Sequence, residues 1–378
     1  MSTGITRTFG AIATAGALSV GGAVGAMASP ACEPTAATAY VVSQFSGTVT
    51  PINTATNAAL KPIVVGRSPD AIAITPNGKT AYVGSGPSMV TPIRTATNTA
   101  LKAINVGQAP FVIAITPNGK TAYVGTGPSM VTPIRTATNT ALKAINVGSS
   151  GGSYMLIAIT PDGKTAYVRS GAHVVPINTH TNTAGKPVSI PFSQDMAMAI
   201  TPNGKTLYVL ADNRNTVIPI STTTNTALKS ITVSSPFGIA ITPNSKTVYL
   251  TNPLSGTVTP ISTATNTAGK PIHVGGTPGA IAITPNGETA YVASFPDGTV
   301  TPISIATNTA GKPIKVRAPF VIAITPNGKT AYVLSQGTSP GLVTPINTAT
   351  TTAGKPIRVG GGPVAIAIGP PSLHRHQR

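Results

Sequence analysis

The sequence predicts an all-β protein, a β-propeller of eight four-stranded antiparallel blades. Three observations lead to this prediction. A unit of about 41 residues repeats eight times, each unit contains four short segments rich in Val, Ile, Thr and Tyr, and Pro, Asn and Gly separate these segments. Four strands in a period of about 40–45 residues are typical of a propeller blade. No segment has a helical period, which excludes a helical solenoid.

One tyrosine marks each repeat, in the segment TAYV or a variant of it: Tyr40, Tyr82, Tyr123, Tyr167, Tyr208, Tyr249, Tyr291 and Tyr332. The repeat that begins at Ala71 contains, in order, AIAI, the turn TPNGK, TAYVG, a variable loop, MVTPI, the turn TATNTA and KAINVG. Asn-Gly supplies the positive φ of a tight hairpin. The alternation of Ala and Ile in the first segment fits the innermost strand, where the taper toward the axis leaves little room.

The chain is out of phase with the blades. It begins at a second strand, Thr38 to Val42, and ends with a first strand, Ala365 to Ile368. We expect the last strand to join the first three in one blade, which closes the ring and leaves no unpaired sheet edge. The alternative is an open ring, or a seven-bladed ring with a stray unit.

Residues 1–28 are predicted to be a secretory signal peptide, with a basic residue near the start, a weakly apolar stretch and a small-residue cleavage site before Ser29. We therefore expect a secreted or cell-surface protein with a linker at 29–37, the propeller at 38–368 and a basic tail at 369–378. An N-terminal membrane anchor is the alternative, but Ala, Gly, Ser and Thr dominate that stretch. No later segment is apolar enough to span a membrane.

Several segments carry a resemblance to a known family. The tetrad YLTN begins at Tyr249, with looser forms at Tyr82 and Tyr291, and it stands beside segments such as ITPDGKTAYV at Ile159 and VTPINTATN at Val49. This pattern resembles the YVTN β-propeller family of surface-layer and other exported prokaryotic proteins. The resemblance covers about residues 38–368. It implies the propeller fold and says little about function, because one fold carries many functions.

Strand order sorts the turns onto two faces of the disc. We call the face with the TPNGK and TATNTA turns the constant face, because these turns scarcely vary. Its candidate polyanion-binding residues are the turn lysines Lys79, Lys120, Lys164, Lys205, Lys246 and Lys329. Eight further lysines are placed on the same face: Lys61, Lys102, Lys143, Lys186, Lys229, Lys270, Lys312 and Lys355. A chain with net charge +18 should attract polyanions, although these lysines could instead only solubilise duplicated turns.

The opposite face, which we call the variable face, carries loops that differ between repeats. Its candidate ligand-binding residues are Phe45, Asp70, Phe111, Tyr154, Phe192, Asp195, Asp212, Phe237, Phe295, Asp297 and Phe320. Aromatic and acidic residues on varied loops over a rigid scaffold are typical of a ligand surface. The alternative is that the phenylalanines plug the mouth of the channel.

Catalytic patterns are scarce. No His, Cys or acid pair has metal-ligand spacing, no nucleophile motif is present, and Cys32 is expected to be an unpaired thiol. We expect no cofactor and a monomer that binds anionic cell-envelope polymers or other envelope proteins, without specific nucleic-acid recognition. The leading hypothesis is an exported, non-enzymatic propeller. The alternative is a lactonase- or lyase-type propeller enzyme with a metal or ligand site at the variable-face end of the channel.

Overall fold

The computed structural model describes residues 37–148, 155–191, 197–211 and 215–370. Within them the chain forms strands and no helix. The predicted signal peptide lies outside the described residues, and so do nearly all of the linker and the tail. Four candidate ligand-face residues also lie outside them: Tyr154, Phe192, Asp195 and Asp212.

Eight antiparallel sheets form the blades, numbered here from the one that contains Thr38–Ser43. The innermost strands of blades one to eight are Pro363–Ile368, Arg67–Ile74, Pro110–Ile115, Met155–Ile159, Met198–Ile200, Ile239–Ile241, Pro278–Ile283 and Pro319–Ile324. The second strands are Thr38–Ser43, Thr80–Gly86, Thr121–Thr126, Thr165–Ser170, Thr206–Ala211, Thr247–Asn252, Thr289–Ser294 and Thr330–Ser335. The third strands are Thr48–Asn53, Met89–Arg94, Met130–Arg135, His173–Asn178, Thr216–Ser221, Thr257–Ser262, Thr299–Ser304 and Gly341–Asn347.

The outermost strand of every blade is split into two short pieces. They are Ala58–Ala59 with Ile63–Val64, Thr99–Ala100 with Ile104–Asn105, Thr140–Ala141 with Ile145–Asn146, Thr183–Ala184 with Val188–Ser189, Thr226–Ala227 with Ile231–Thr232, Thr267–Ala268 with Ile272–His273, Thr309–Ala310 with Ile314–Lys315, and Thr352–Ala353 with Ile357–Val359. A proline in the third strand accounts for the split. The Pro51 carbonyl accepts from Leu60 N at 2.8 Å, but Pro51 has no N–H to return to the outer strand. The ladder therefore lacks one hydrogen bond at that point.

The ring closes as predicted, so the open or seven-bladed alternative is wrong. The last strand, Pro363–Ile368, pairs with the first, Thr38–Ser43, in antiparallel register. Ala39 faces Ile368 and Val41 faces Ile366. Blade one is thus built from both ends of the propeller, and its innermost strand leaves no sheet edge unpaired at the seam.

The core lies between the blades, as eight clusters of apolar side chains in the described residues. Between blades one and two, Tyr40 and Val42 pack on Ile72, Val83 and Ile93. Neighbouring innermost strands contact one another around the whole ring. Because each blade buries its faces only against its two neighbours, a missing blade would expose two apolar surfaces.

The repeat tyrosines join each blade to the next. Each buried hydroxyl except one donates to an Asn side chain in the TATNTA turn of the following blade: Tyr40 to Asn98, Tyr82 to Asn139, Tyr123 to Asn182, Tyr167 to Asn225, Tyr208 to Asn266, Tyr249 to Asn308 and Tyr332 to Asn57. The oxygen-to-oxygen distances run from 2.5 Å for Tyr332 to 2.7 Å for Tyr40. We call this pairing the Tyr–Asn latch. A buried phenol needs such an acceptor, since an unpaired hydroxyl is costly in an apolar interface.

The interface between blades seven and eight lacks this latch. Thr351 occupies the position of the turn asparagine. Tyr291 donates to the Thr348 carbonyl at 3.2 Å, a bond that four other repeat tyrosines make to the corresponding threonine carbonyl in addition to their bond to asparagine. Thr351 has a φ of 53°, and Asn308, its counterpart in blade seven, has 54°. Asparagine tolerates this left-handed region, whereas a β-branched side chain is strained there. This interface is therefore expected to be the least favourable of the eight.

Candidate functional site

Each TPNGK turn on the constant face is fixed by its own hydrogen bonds. In blade two, Asn77 Oδ1 accepts from the Thr75 hydroxyl at 2.8 Å and from Lys79 N at 3.0 Å. Gly78 has a φ of 69°, which a residue with a Cβ rarely adopts. The turn chemistry thus leaves the Lys79 side chain outside the network and exposed to solvent.

Neighbouring TPNGK turns touch one another around the channel. A Cβ added to Gly119 would lie 3.4 Å from Pro76 Cδ in the preceding blade, and one added to Gly163 would lie 3.3 Å from Pro117 Cδ. The Thr95 hydroxyl donates to the Gly78 carbonyl at 2.5 Å, which ties the TATNTA turn to the same face. The turn lysines therefore follow one another along a continuous path of rigid turns.

All six turn lysines named as polyanion candidates are exposed: Lys79, Lys120, Lys164, Lys205, Lys246 and Lys329. Two acids interrupt the path. Glu288 replaces the turn lysine in blade seven, and Asp162 lies 4.0 Å from Lys164 in blade four. Hydrogen bonds from the Thr160 hydroxyl and Lys164 N hold the pKa of the Asp162 carboxyl below its ordinary value. The constant face remains positively charged.

The eight further lysines lie elsewhere, so their placement on the constant face is corrected. Lys61 lies between the two pieces of the outer strand of blade one, next to Leu60, whose N–H bonds to Pro51 at the middle of the third strand. The seven counterparts follow the same pattern: Lys102, Lys143, Lys186, Lys229, Lys270, Lys312 and Lys355. These rim lysines, as we call them, surround the edge of the disc. The rim lysines lie at this edge because the outer strand of each blade is split. Strand order alone does not reveal that split.

The described carboxylates of the variable face hold local hydrogen bonds. Asp70 Oδ1 accepts from Gln44 Nε2 at 2.7 Å, and burial raises the pKa of the Asp70 carboxyl. Asp297 Oδ2 accepts from Thr277 N at 3.1 Å. Within the described residues, no group of three or more His, Cys, Asp or Glu side chains could hold a metal ion.

The five described phenylalanines of the variable face occupy two kinds of position. Phe111 and Phe320 lie at register shifts near the start of their innermost strands, and Phe237 precedes its innermost strand, with all three partly buried. Phe45 and Phe295 lie instead on hairpin loops, with 82% and 43% of their surface exposed. The first group thus lies at the innermost strands, and the second lies between the second and third strands of its blades.

Sequence reasoning missed two features on this side of the molecule. Leu254 is 85% exposed on the hairpin loop of blade six, and Val64 is 75% exposed beside Phe45. Arg169 is fully buried in a second strand, where Nη1 donates to the Leu210 carbonyl at 2.6 Å and Nε and Nη2 have no hydrogen-bond partner among the described residues. Burial lowers the pKa of the Arg169 guanidinium to about 10. The sequence signal for the buried Arg169 is a basic residue within the otherwise uncharged strand segment TAYVRS.

No family model matches the sequence, and no curated protein matches it. Solved structures match in fold. The hydrazine synthase of Kuenenia stuttgartiensis aligns over 74% of this chain and 96% of its own, at 22% identity and a TM-score of 0.60. Dihydro-heme d1 dehydrogenase NirN aligns over 89% and 75%, at 12% identity and a TM-score of 0.73. A candidate 6-phosphogluconolactonase of Bacteroides fragilis NCTC 9343 aligns over 78% and 99%, at 19% identity and a TM-score of 0.58.

These likenesses show the propeller fold and, at such identities, nothing of the activity. The propeller fold that the YVTN resemblance implies is confirmed, and so is the count of eight blades predicted from the repeats, while membership of that family stays a prediction. In the described part of the chain, no helix is long and apolar enough to cross a membrane.

Proposed function

We propose that this protein is an exported, non-enzymatic propeller of the YVTN type that binds anionic polymers of the cell envelope through the turn lysines of its constant face. One observation carries the proposal: six exposed lysines stand on rigid turns that contact one another from blade to blade. A repeating anion, such as a phosphate- or carboxylate-bearing polymer, can contact several of them at once. Export rests on the signal-peptide pattern of residues 1–28.

The rigidity of the turns favours binding of an extended polymer. Because Thr75, Asn77 and Gly78 fix the backbone of the turn, little conformational entropy of the backbone is lost on binding. Each exposed lysine contributes a small, salt-screened attraction, and affinity arises from their number. The protein is therefore suited to organise envelope components and not to enclose one small ligand.

A lactonase- or lyase-type enzyme is the second candidate, and the fold likeness to the candidate 6-phosphogluconolactonase favours it. It requires carboxylates that converge at the channel. Asp70, which burial and Gln44 set apart from the other described acids, is the residue to test. Calcium titration by calorimetry of the native protein and of Asp70→Asn distinguishes the candidates, because only the enzyme hypothesis expects a metal affinity that this change abolishes.

The test of the leading proposal compares two sets of lysines. Linear polyphosphate and polygalacturonate are titrated into the native protein, into Lys79→Gln/Lys120→Gln/Lys164→Gln and into the rim variant Lys102→Gln/Lys143→Gln/Lys186→Gln. Both variants lose three positive charges from the same three blades. We expect the turn variant to bind at least about tenfold more weakly than the rim variant at low salt, since only the turn lysines lie on one path.

Equal losses in the two variants would show that binding follows net charge alone. No loss in either variant would show that the constant face is only a solubilising surface. Thermal unfolding of both variants serves as the folding control, because every substituted side chain is exposed.

A further inference from the structure

Three hairpin loops on the variable face present exposed apolar side chains. Phe45, Leu254 and Phe295 are 82%, 85% and 43% exposed, and they belong to blades one, six and seven. Each loop has four residues between the second and third strands and ends in a glycine with a φ between 59° and 65°. Because the blades are related by rotation about one axis, equal loops project to a similar height from one face. We call these three residues the apolar tips.

The Phe45 tip is held by an ordered backbone. Gln44 N donates to the Gly362 carbonyl at 2.9 Å, and Phe45 N donates to the Gly361 carbonyl at 3.2 Å. The Phe45 ring lies against Gly362, where an added Cβ would come within 2.6 Å of ring atom Cδ2. The ring is thus presented in a fixed position with most of its surface in water, which is unfavourable unless something covers it.

The other two tips are braced by side chains of their own hairpins. Asn252 Nδ2 donates to the Ser234 carbonyl at 2.7 Å, and Asn252 Oδ1 accepts from the Thr259 hydroxyl at 2.8 Å, which fixes the start of the Leu254 loop. The bond from Thr277 N to Asp297 Oδ2 fixes the Phe295 loop. All three tips are therefore preorganised.

Exposed cations lie near the apolar tips. Arg67 lines a groove of about 770 Å³ together with Phe45 and Val64. Lys315 is in register with Thr299, directly after the Phe295 loop. Arg317 and Arg358 add two more exposed positive charges from the same end of blade eight. Asp70 and Asp297, the acids described on this face, set two carboxylates against these four cations, so positive charge predominates.

We propose that the variable face docks onto an anionic lipid surface. The apolar tips enter the interfacial region, and Arg67, Lys315, Arg317 and Arg358 contact the lipid headgroups. Separate apolar tips on loops of equal length, together with exposed cations on the same face, match a lipid surface that has an apolar interior and anionic headgroups. The site lies opposite the constant face, so one molecule can hold an envelope polymer and a lipid surface together.

Vesicle cosedimentation tests the proposal. Vesicles of phosphatidylcholine alone are compared with vesicles that also contain phosphatidylglycerol. We expect the full chain to bind the anionic vesicles preferentially, and Phe45→Ser/Leu254→Ser/Phe295→Ser to bind them at least about tenfold more weakly. Arg67→Gln/Arg317→Gln/Arg358→Gln should lose the preference for anionic lipid. The turn variant Lys79→Gln/Lys120→Gln/Lys164→Gln should retain it, which separates this proposal from the polymer-binding one.

A fluorescence measurement reports directly on insertion, because the chain has no tryptophan. Phe45→Trp introduces a single indole at a tip, and Leu60→Trp introduces one on the rim, where Leu60 is 41% exposed. Anionic vesicles should shift the emission of the first variant to the blue and leave the second unchanged. Equal shifts, or no vesicle binding by the native chain, would overturn the proposal. A dimer that the apolar-tip variant abolishes in sedimentation equilibrium would assign the face to a second copy of this chain instead.

Discussion

The two faces of the propeller are built from the same eight repeats but differ in what their loops contact. On the constant face the TPNGK turns bond internally and touch the turns of the neighbouring blades, as Gly119 touches Pro76. On the variable face the hairpin loops range from two residues, 171–172, to five, 336–340. A turn that must match two neighbours cannot change freely, whereas a loop in solvent can. In this chain, turns with a repeated sequence therefore indicate contact between blades. Loops that differ in sequence and length indicate a surface on which binding sites can evolve.

The largest expected effect comes from a deletion that opens the ring of blades on which both faces depend. Deleting residues 360–378 removes the innermost strand of blade one and exposes a sheet edge and an apolar face. We expect the protein to lose its cooperative thermal unfolding transition. Shortening the variable-face loop 336–340 to two residues is the control and should leave that transition nearly intact. Similar transitions in both variants would contradict the closed ring as the source of stability.

Alkaline pH should weaken all eight interfaces together. Burial raises the pKa of Tyr82 to about 12, and likewise for five other latch tyrosines: Tyr40, Tyr123, Tyr167, Tyr208 and Tyr332. The pKa values of Tyr249 and Tyr291 are also raised. An unfolded tyrosine titrates near about 10, so above that pH the unfolded state releases protons that the folded state retains.

The stability from these tyrosines is therefore complete below about pH 10 and is lost as the pH rises toward about 12. Urea unfolding at a series of pH values measures it. The Tyr208→Phe variant should show a shallower decline than the native protein. A midpoint that stays constant across this window would show that the phenols are not buried between the blades.

A single latch bond should have a measurable effect. Tyr82→Phe removes a donor that lies 2.6 Å from Asn139 Oδ1 and leaves that partly buried acceptor without its tyrosine partner. We expect the free energy of unfolding to fall by about 1–2 kcal/mol. Tyr291→Phe is the matched control, because Tyr291 lacks the asparagine partner, and it should cost about half as much. Equal losses would show that the asparagine adds nothing to the interface.

The smallest expected effect comes from restoring the missing Tyr–Asn latch between blades seven and eight. Thr351→Asn places asparagine at a φ of 53° and supplies the missing acceptor for Tyr291. We expect a gain of about 1 kcal/mol in the free energy of unfolding. If Tyr291 is first changed to Phe, most of the gain that comes from the new hydrogen bond should disappear. Chemical denaturation of the native protein, the two single variants and the double variant measures this coupling energy. A gain that is the same in both backgrounds would come from backbone strain alone.

The sequence predicted the blade count, the strand order and the closure, because the period, the turn residues and the phase of the chain are local signals. It did not predict the Tyr–Asn latch, since Tyr82 and Asn139 are 57 residues apart and meet only across two blades. The proline in the third strand can be read from the sequence. Its effect on the position of Lys61 depends on the hydrogen bonds between the third and fourth strands, which only the structure shows. The exposure of Leu254 depends on the loop geometry of one blade. Contacts between repeats, and the heights of individual loops, are properties of the assembled ring.

The most direct test of the difference between the faces is the salt dependence of polyphosphate binding. Exposed charges are screened over about 10 Å at 0.1 M salt, so binding through the turn lysines should weaken steeply as salt rises. We expect a plot of log affinity against log salt to become shallower in Lys79→Gln/Lys120→Gln/Lys164→Gln and to keep its slope in Phe45→Ser/Leu254→Ser/Phe295→Ser. A slope that the lysine changes leave unaltered, or that the apolar-tip changes reduce equally, would contradict the assignment of polyanion binding to the constant face.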